Sequence, residues 1–210
     1  MCVIIAKNKG VAVPDRAVLE RCWNSNIDGA GFSVTKDDRV LIKKGFMKFA
    51  DFYDAIKQYN KDDTIVIHFR RTTQGGSTGC LTHPFPLDFD KTKNEVGKRV
   101  RELELDTYCA IAHNGVIPMT STPEYKKSFP TNSDTEIFVR DIVTKLFEKP
   151  DDLKDEVKLQ ILSALIGTDS KLAIHTTDGI KVVGWFNEKQ GAYFSNFSNA
   201  VHFDSFQELK

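Results

Sequence analysis

Hydrophobic positions along the chain change period several times, and each change marks an element. Cys2 to Ala6 is an apolar run of strand length and reads as a buried first strand. Pro14 to Trp23 instead places Val18, Leu19, Cys22 and Trp23 on one face of a helix. After a turn over Asn24 to Gly29, Ala30 to Thr35 and Val40 to Lys44 form a strand pair joined by Lys36-Asp37-Asp38-Arg39. Phe49, Phe52, Tyr53 and Ile56 then recur at helical spacing, and Thr64 to Arg70 is a strand of β-branched and aromatic residues. The segment Thr72 to Gly79 holds no hydrophobe, which makes it a loop leaving a strand end, a usual location for function.

Leu87 to Asp106 is charged and poor in apolar residues, and it reads as an insertion with a short helix near Val96 to Leu103. Tyr108 to His113 is the next strand, terminated by the turn signal Asn114-Gly115. Ser133 with Glu136 has the spacing of a capping box, and Phe138, Val139, Ile142, Val143 and Leu146 carry a helix on to about Lys149. A further helix covers Asp152 to Ile166 and stops at Gly167. Lys171 to Thr176 and Ile180 to Phe186 make a hairpin around Asp178-Gly179, followed by a strand over Gly191 to Phe197. Helices and strands are grouped rather than alternating, which predicts an α+β fold with helices packed on mainly antiparallel sheets. No repeat or linker divides the chain, so residues 1–210 are expected to form one domain, with 151–210 completing it.

Composition narrows the function classes. Hydrophobic residues make up 40% of the 210 residues and charged ones 28%, an ordinary globular balance. The 29 basic residues match the 29 acidic ones, so no basic excess points to nucleic acid. Apolar runs are too short for a membrane span, and Lys7-Asn8-Lys9-Gly10 interrupts the start where a signal peptide would continue. Cys2, Cys22, Cys80 and Cys109 are too few and too irregularly spaced for a disulfide framework. These features together predict an intracellular, cytoplasmic protein that keeps its thiols reduced.

Among the polar residues, Cys2 carries the most chemistry. Removal of Met1 would leave a cysteine with both a thiol and an α-amine of pKa about 7.7–8.0, a nucleophile and a base in one residue. The alternative is a small hydrophobe on a first strand. Asn114-Gly115 can supply an amide side chain and a backbone N–H as an oxyanion hole, or can be only a turn. Arg70 can fork onto a carboxylate, and Asp134 can bind an ammonium or act merely as a partner of the helix dipole. His68 and His113 read as buried supports, Cys22 as packing, and the aromatics of Tyr193-Phe194-Ser195-Asn196-Phe197 as pocket lining or cross-strand packing. A zinc site built from Cys80, His83, Cys109 and His113 is a rival chemistry, although mixed pairs of this kind are weaker signals than paired Cys-x2-Cys spacings.

His68-Phe69-Arg70-Arg71-Thr72-Thr73-Gln74-Gly75, Thr82-His83-Pro84-Phe85, Ala112-His113-Asn114-Gly115 and Ser133-Asp134-Thr135-Glu136 follow an N-terminal Met-Cys in that order. With Asp28-Gly29-Ala30-Gly31-Phe32, the set resembles class II glutamine amidotransferases, which are N-terminal nucleophile hydrolases, over residues 2–140. The resemblance implies a four-layer αββα sandwich and hydrolysis of the γ-amide of glutamine or a γ-glutamyl compound through a cysteine thioester. Carried over, Cys2 is the nucleophile with its own α-amine as base, and Asn114 and Gly115 hold the oxyanion. Arg70, helped by Thr73, binds the substrate carboxylate, Asp134 binds its ammonium, and His83 lines the substrate site. No cofactor or metal is implied. The stretch Arg71-Thr72-Thr73-Gln74-Gly75 differs from the Trp-Ala-Thr-His-Gly of synthase-fused members, and Ser25-Asn26 replaces their Arg-Gly. The chain is therefore more similar to stand-alone γ-glutamyl hydrolases of thiol metabolism, and passing ammonia to a synthase would require another chain. A catalytically silent descendant that only binds is the remaining alternative.

Overall fold

Side chains on successive strand residues point to opposite faces, and here each face meets a different partner. In the computed structural model, which describes residues 2–89 and 99–196, strands β1 (Val3–Lys7), β2 (Ala30–Lys36) and β4 (Ile65–Phe69) turn Val3, Ile5, Phe32, Val34, Ile65, Ile67 and Phe69 toward helices α1 (Arg16–Ser25) and α2 (Phe49–Ile56). The helices answer with Val18, Leu19, Cys22 and Trp23 from α1 and with Phe52 and Ile56 from α2, the faces that their spacing predicts. Asp15 starts α1 by accepting a hydrogen bond from Val18 N at 2.8 Å.

A second sheet is built the same way. In β5 (Phe85–Leu87), β7 (Cys109–Asn114) and β8 (Lys171–Thr176), the residues Phe85, Leu87, Cys109, Ile111, Leu172 and Ile174 face helices α4 (Asp134–Phe138) and α5 (Glu156–Ile166). Helix α4 runs on through a π-helical stretch, Val139–Val143, and a last turn, Thr144–Leu146, while the short α3 (Pro123–Ser128) precedes it. With β3 (Arg39–Phe46), β6 (Glu104–Thr107), β9 (Gly179–Val183), β10 (Asn187–Lys189) and β11 (Ala192–Phe194), the strands form a seven-stranded sheet ordered β10-β11-β1-β4-β2-β3-β6 and a four-stranded one ordered β5-β7-β8-β9. Every pairing is antiparallel.

The remaining faces of the two sheets meet each other through alanines interleaved with aliphatic side chains. Ile4, Ala6, Val66, Ala112 and Ala173 form one shared cluster, and Val40, Ile42, Leu105 and Ala110 another. The chain comes close at Gly31, where an added Cβ would lie 2.2 Å from the His83 carbonyl oxygen. A buried polar clasp crosses the same gap: His175 of β8 meets Ser33 Oγ at 2.8 Å and Thr35 Oγ1 at 2.9 Å, both on β2.

Several expectations need correction. Part of the charged insertion is structured, since Leu87 ends β5, which pairs with β7, and β6 pairs with β3, while the expected helix near Val96 to Leu103 begins outside the described residues. Pro150–Lys154 is a 3-10 turn, so the helix expected from Asp152 starts at Glu156, where Asp155 caps it. Ser133 caps α4 through Glu136 N at 3.0 Å, but the Glu136 carboxylate pairs with Arg101 Nε at 2.7 Å instead of closing a box. Gly184, at φ 88°, ends β9 before Phe186, and the chain turns into the unanticipated β10. The last strand spans only Ala192–Phe194, and Phe197 lies outside the described residues. Among the described residues, no helix is long and apolar enough to cross a membrane.

Candidate functional site

Antiparallel pairing of β1 with β4 sets Val3 opposite Phe69, and this register lays Cys2 beside the end of β4. The Cys2 thiol accepts a hydrogen bond from Arg71 N at 3.2 Å and points its own proton at Arg71 O, 3.4 Å away. Burial pushes the thiol above its ordinary pKa, against the pull of the Arg71 bond and the nearby Arg70 charge. The group is therefore a neutral thiol near pH 7, and attack by its sulfur requires a base.

The loop after β4 is fastened from three sides. Arg70, only 4% exposed, donates from Nη1 to Gly76 O at 2.7 Å and from Nη2 to Gln74 O at 3.1 Å, keeping its remaining N–H groups for another acceptor. Asp28 accepts from Thr72 N at 2.8 Å, a bond that holds its carboxyl below the usual range, and its own N–H donates to Arg70 O at 3.1 Å. Gly75, at φ 84°, lies so close to the start of α4 that a Cβ would come 2.8 Å from Ser133 N. Thr73 and Gln74 are thereby presented along one wall of a cleft.

The opposite wall comes from the end of β7 and the start of α4. Buried Asp134 accepts from Ile117 N at 2.9 Å, from Thr135 N at 2.8 Å and from the Thr135 hydroxyl at 3.3 Å. Because that hydroxyl donates to Asp134, its oxygen receives the His113 Nδ1 proton across 2.8 Å, which leaves Nε2 as an unprotonated acceptor. Burial, opposed by the Asp134 charge, lowers His113 to about 4, and its buried Nε2 has no partner among the described residues. Gly115 follows at φ 143°, where a Cβ would sit 2.4 Å from Ser170 Oγ. No described group accepts from the Gly115 N–H.

The cleft gathers Cys2, Arg70, Thr73, His83, Gly115 and Asp134 with Arg71, Gln74, His113, Ser133 and Thr135. Of the seven residues to which the resemblance gives a role, Asn114 alone stands outside this lining. It is fully buried, with Nδ2 2.9 Å from Ser195 Oγ and with Oδ1 lacking a described partner. His83 packs its ring 4.2 Å from that of His68 and holds Nδ1 3.0 Å from His113 O, and burial keeps it neutral. The zinc alternative is not assembled. Cys109 is packed in the core beside β5 and α4, His113 turns to Thr135, and among the described residues no three His, Cys, Asp or Glu side chains cluster as metal ligands. A groove by Pro150 and the β8–β9 turn contains none of the predicted site residues.

Sequence reasoning overlooked the contacts that hold these groups. Ser195 and Ser170 carry no motif and touch the site across long chain separations, whereas Thr135 lies within Ser133-Asp134-Thr135-Glu136, where its place beside Asp134 is a signal in the sequence. Neither a scan against models of known protein families nor a search of curated proteins finds a match for this chain.

Proposed function

We propose that this chain, once it begins at Cys2, is a glutaminase-type amidohydrolase of the class II glutamine amidotransferase kind, cleaving the γ-amide of glutamine or a γ-glutamyl compound. Two antiparallel sheets facing each other, with helices on their outer faces, support a four-layer αββα sandwich of the N-terminal nucleophile type. The observation that carries the reading is one cleft in which the Cys2 thiol meets a buried cation at Arg70, a buried anion at Asp134 and the unused N–H of Gly115.

Each group has a task that its position suits. A substrate zwitterion is read by one fixed cation and one fixed anion: Arg70 takes the α-carboxylate beside Thr73, and Asp134 takes the α-ammonium. The Cys2 α-amine removes the thiol proton as sulfur attacks the γ-carbonyl carbon, and the carbonyl oxygen becomes an oxyanion held by Gly115 N–H and the Asn114 amide. The protonated amine then returns the proton to the leaving nitrogen, the C–N bond breaks, and ammonia or an amine departs from the thioester. Water, deprotonated by the same amine, opens the thioester to give the γ-carboxylate and the free thiol. Hydrolysis needs no second chain, and transfer of ammonia to an acceptor would take place on a separate synthase.

The test is intact mass before and after treatment with diazo-oxo-norleucine, a glutamine-shaped electrophile, with Cys2→Ala as control. Loss of Met1 and a single adduct absent from the variant are expected. Retained Met1 with no adduct would overturn the proposal and favour a module that only binds.

A further inference from the structure

Asn114 presents a hydrogen-bonding conflict whose resolution bears on the reaction, provided the amidohydrolase reading holds. Ser195 Oγ receives Ile4 N–H at 2.8 Å and also faces Asn114 Nδ2 at 2.9 Å. Two donors thus point at one hydroxyl oxygen, and among the described residues no acceptor faces the hydroxyl proton. Asn114 Oδ1, buried and without a described partner, is bare on the other side of the same amide. If the amide turns by half a revolution about its last side-chain bond, its oxygen and nitrogen having nearly the same shape, Oδ1 and the hydroxyl proton satisfy each other and the unmet group becomes the NH₂, a donor in want of an acceptor. Ser195 Oγ then keeps Ile4 N–H as its donor and gives its proton to Oδ1. The NH₂ group takes the place where the bare oxygen stood.

We propose that Ser195 is the positioning residue that locks the Asn114 amide in this orientation, so that an N–H and not a carbonyl oxygen stands beside Gly115 to meet the developing oxyanion. The backbone makes Ser195 suited to this. Phe194 pairs with Ile5 across β1 and β11, and Ser195 N donates to Ile4 O at 3.0 Å, so Ser195 is tied by its backbone and by its hydroxyl to the strand that Cys2 leads into. A carbonyl oxygen in that place would repel an oxyanion, whereas an N–H stabilises it, so the orientation alters the transition state while leaving headgroup binding to Arg70 and Asp134 unchanged.

The experiment is a double-mutant cycle of Ser195→Ala and Asn114→Ala in the chain that begins at Cys2, with kcat and KM for glutamine and the rate of Cys2 alkylation by diazo-oxo-norleucine read on each protein. Ser195→Ala is expected to lower kcat about 30- to 100-fold with KM and alkylation nearly unchanged, below the roughly 10²–10³-fold cost of losing a whole oxyanion donor. Ser195→Thr, which keeps the hydroxyl, should restore kcat, and the double variant should be no slower than Asn114→Ala alone. If the alanine variant does not fold, Ser195→Cys keeps the size but only a weak donor and should show the same selective loss of kcat. A wild-type kcat in Ser195→Ala or Ser195→Cys, or losses that simply multiply in the double variant, would overturn the assignment. Absence of Cys2-dependent alkylation and turnover in the wild type would instead overturn the amidohydrolase reading, and this inference with it.

Discussion

Replacing Gly115 with alanine tests the architecture of the site and its proposed chemistry at once. The residue sits at φ 143°, a conformation that an L side chain rarely adopts, and its Cβ would lie 2.4 Å from Ser170 Oγ and 2.8 Å from Ser170 Cα. Backbone strain of this kind costs about 1–3 kcal/mol. Forcing a methyl group against backbone and a buried serine costs about 1–3 kcal/mol more, because Ser170 is itself buried and has little room to move. The total, roughly 2–6 kcal/mol, is a large share of the ~5–15 kcal/mol that holds a domain folded. Gly10 offers an internal standard: at φ 94° with nothing within 4 Å of an added Cβ, Gly10→Ala reports the strain without the collision. Urea unfolding of both variants should show Gly115→Ala less stable by about the collision term of 1–3 kcal/mol. Relieving the clash moves the peptide that carries the Gly115 N–H, so kcat for glutamine should fall by about 10²–10³-fold as one oxyanion donor is lost. Equal stability of the two variants would refute the packing argument. A folded Gly115→Ala protein that retained wild-type kcat would refute the assignment of that N–H.

Arg70→Lys keeps the charge but cannot hold Gly76 O and Gln74 O while also forking onto a carboxylate, so KM for glutamine should rise about 10- to 100-fold, the range expected for a lost charged hydrogen bond, with a smaller change in kcat. Unchanged steady-state kinetics would remove Arg70 from substrate binding. Burial lowers His68 and His175 to about 3 and His113 to about 4, and carries His83 well below its ordinary value, so below pH 6.5 the unfolded chain takes up protons that the native chain refuses. That contribution to stability is whole above pH 6.5 and is lost as pH falls from there toward 4, with unfolding coupled to uptake of roughly four protons. Urea midpoints measured across this range check it, and His175→Gln should remove about one proton from the slope.

Much of the fold was legible because its central elements obey a period. β1, β4 and β7 are buried along their whole length, and α1 and α2 have apolar faces that match the sheet they cover. The missed elements are very short or lie where burial is one-sided or absent. β6 alternates exposed Glu104 and Asp106 with buried Leu105 and Thr107, which is strand periodicity carried by a single hydrophobe. β5 is three residues long and contains Pro86, β10 has no buried residue, and α3 buries nothing. Edges of sheets and helices laid on the surface are held by backbone pairing and capping, and neither leaves a hydrophobic pattern to read.

The site divides along the same physical line. Cys2, Arg70, Gly115 and Asp134 could be singled out because each is a chemically unusual residue at the end of a strand or the start of a helix, where it would be wasteful as packing. Ser195 carries no such signal, and its alternation with Phe194 says only that the two point in opposite directions. Which direction leads to the cleft is decided by a pairing across 191 positions of chain, Ile4 N to Ser195 Oγ, and by the 81-residue reach from Asn114. β1 turns Ile5 toward the helices and Ile4 toward the second sheet, so the residue opposite Ile4 must also point between the sheets, where Asn114 ends β7. A serine placed one residue earlier would take the position of Phe194 in the helix-side core, where it could not reach the Asn114 amide. Residues that perform chemistry are therefore visible one at a time, whereas those that aim them become visible only once strand register is known.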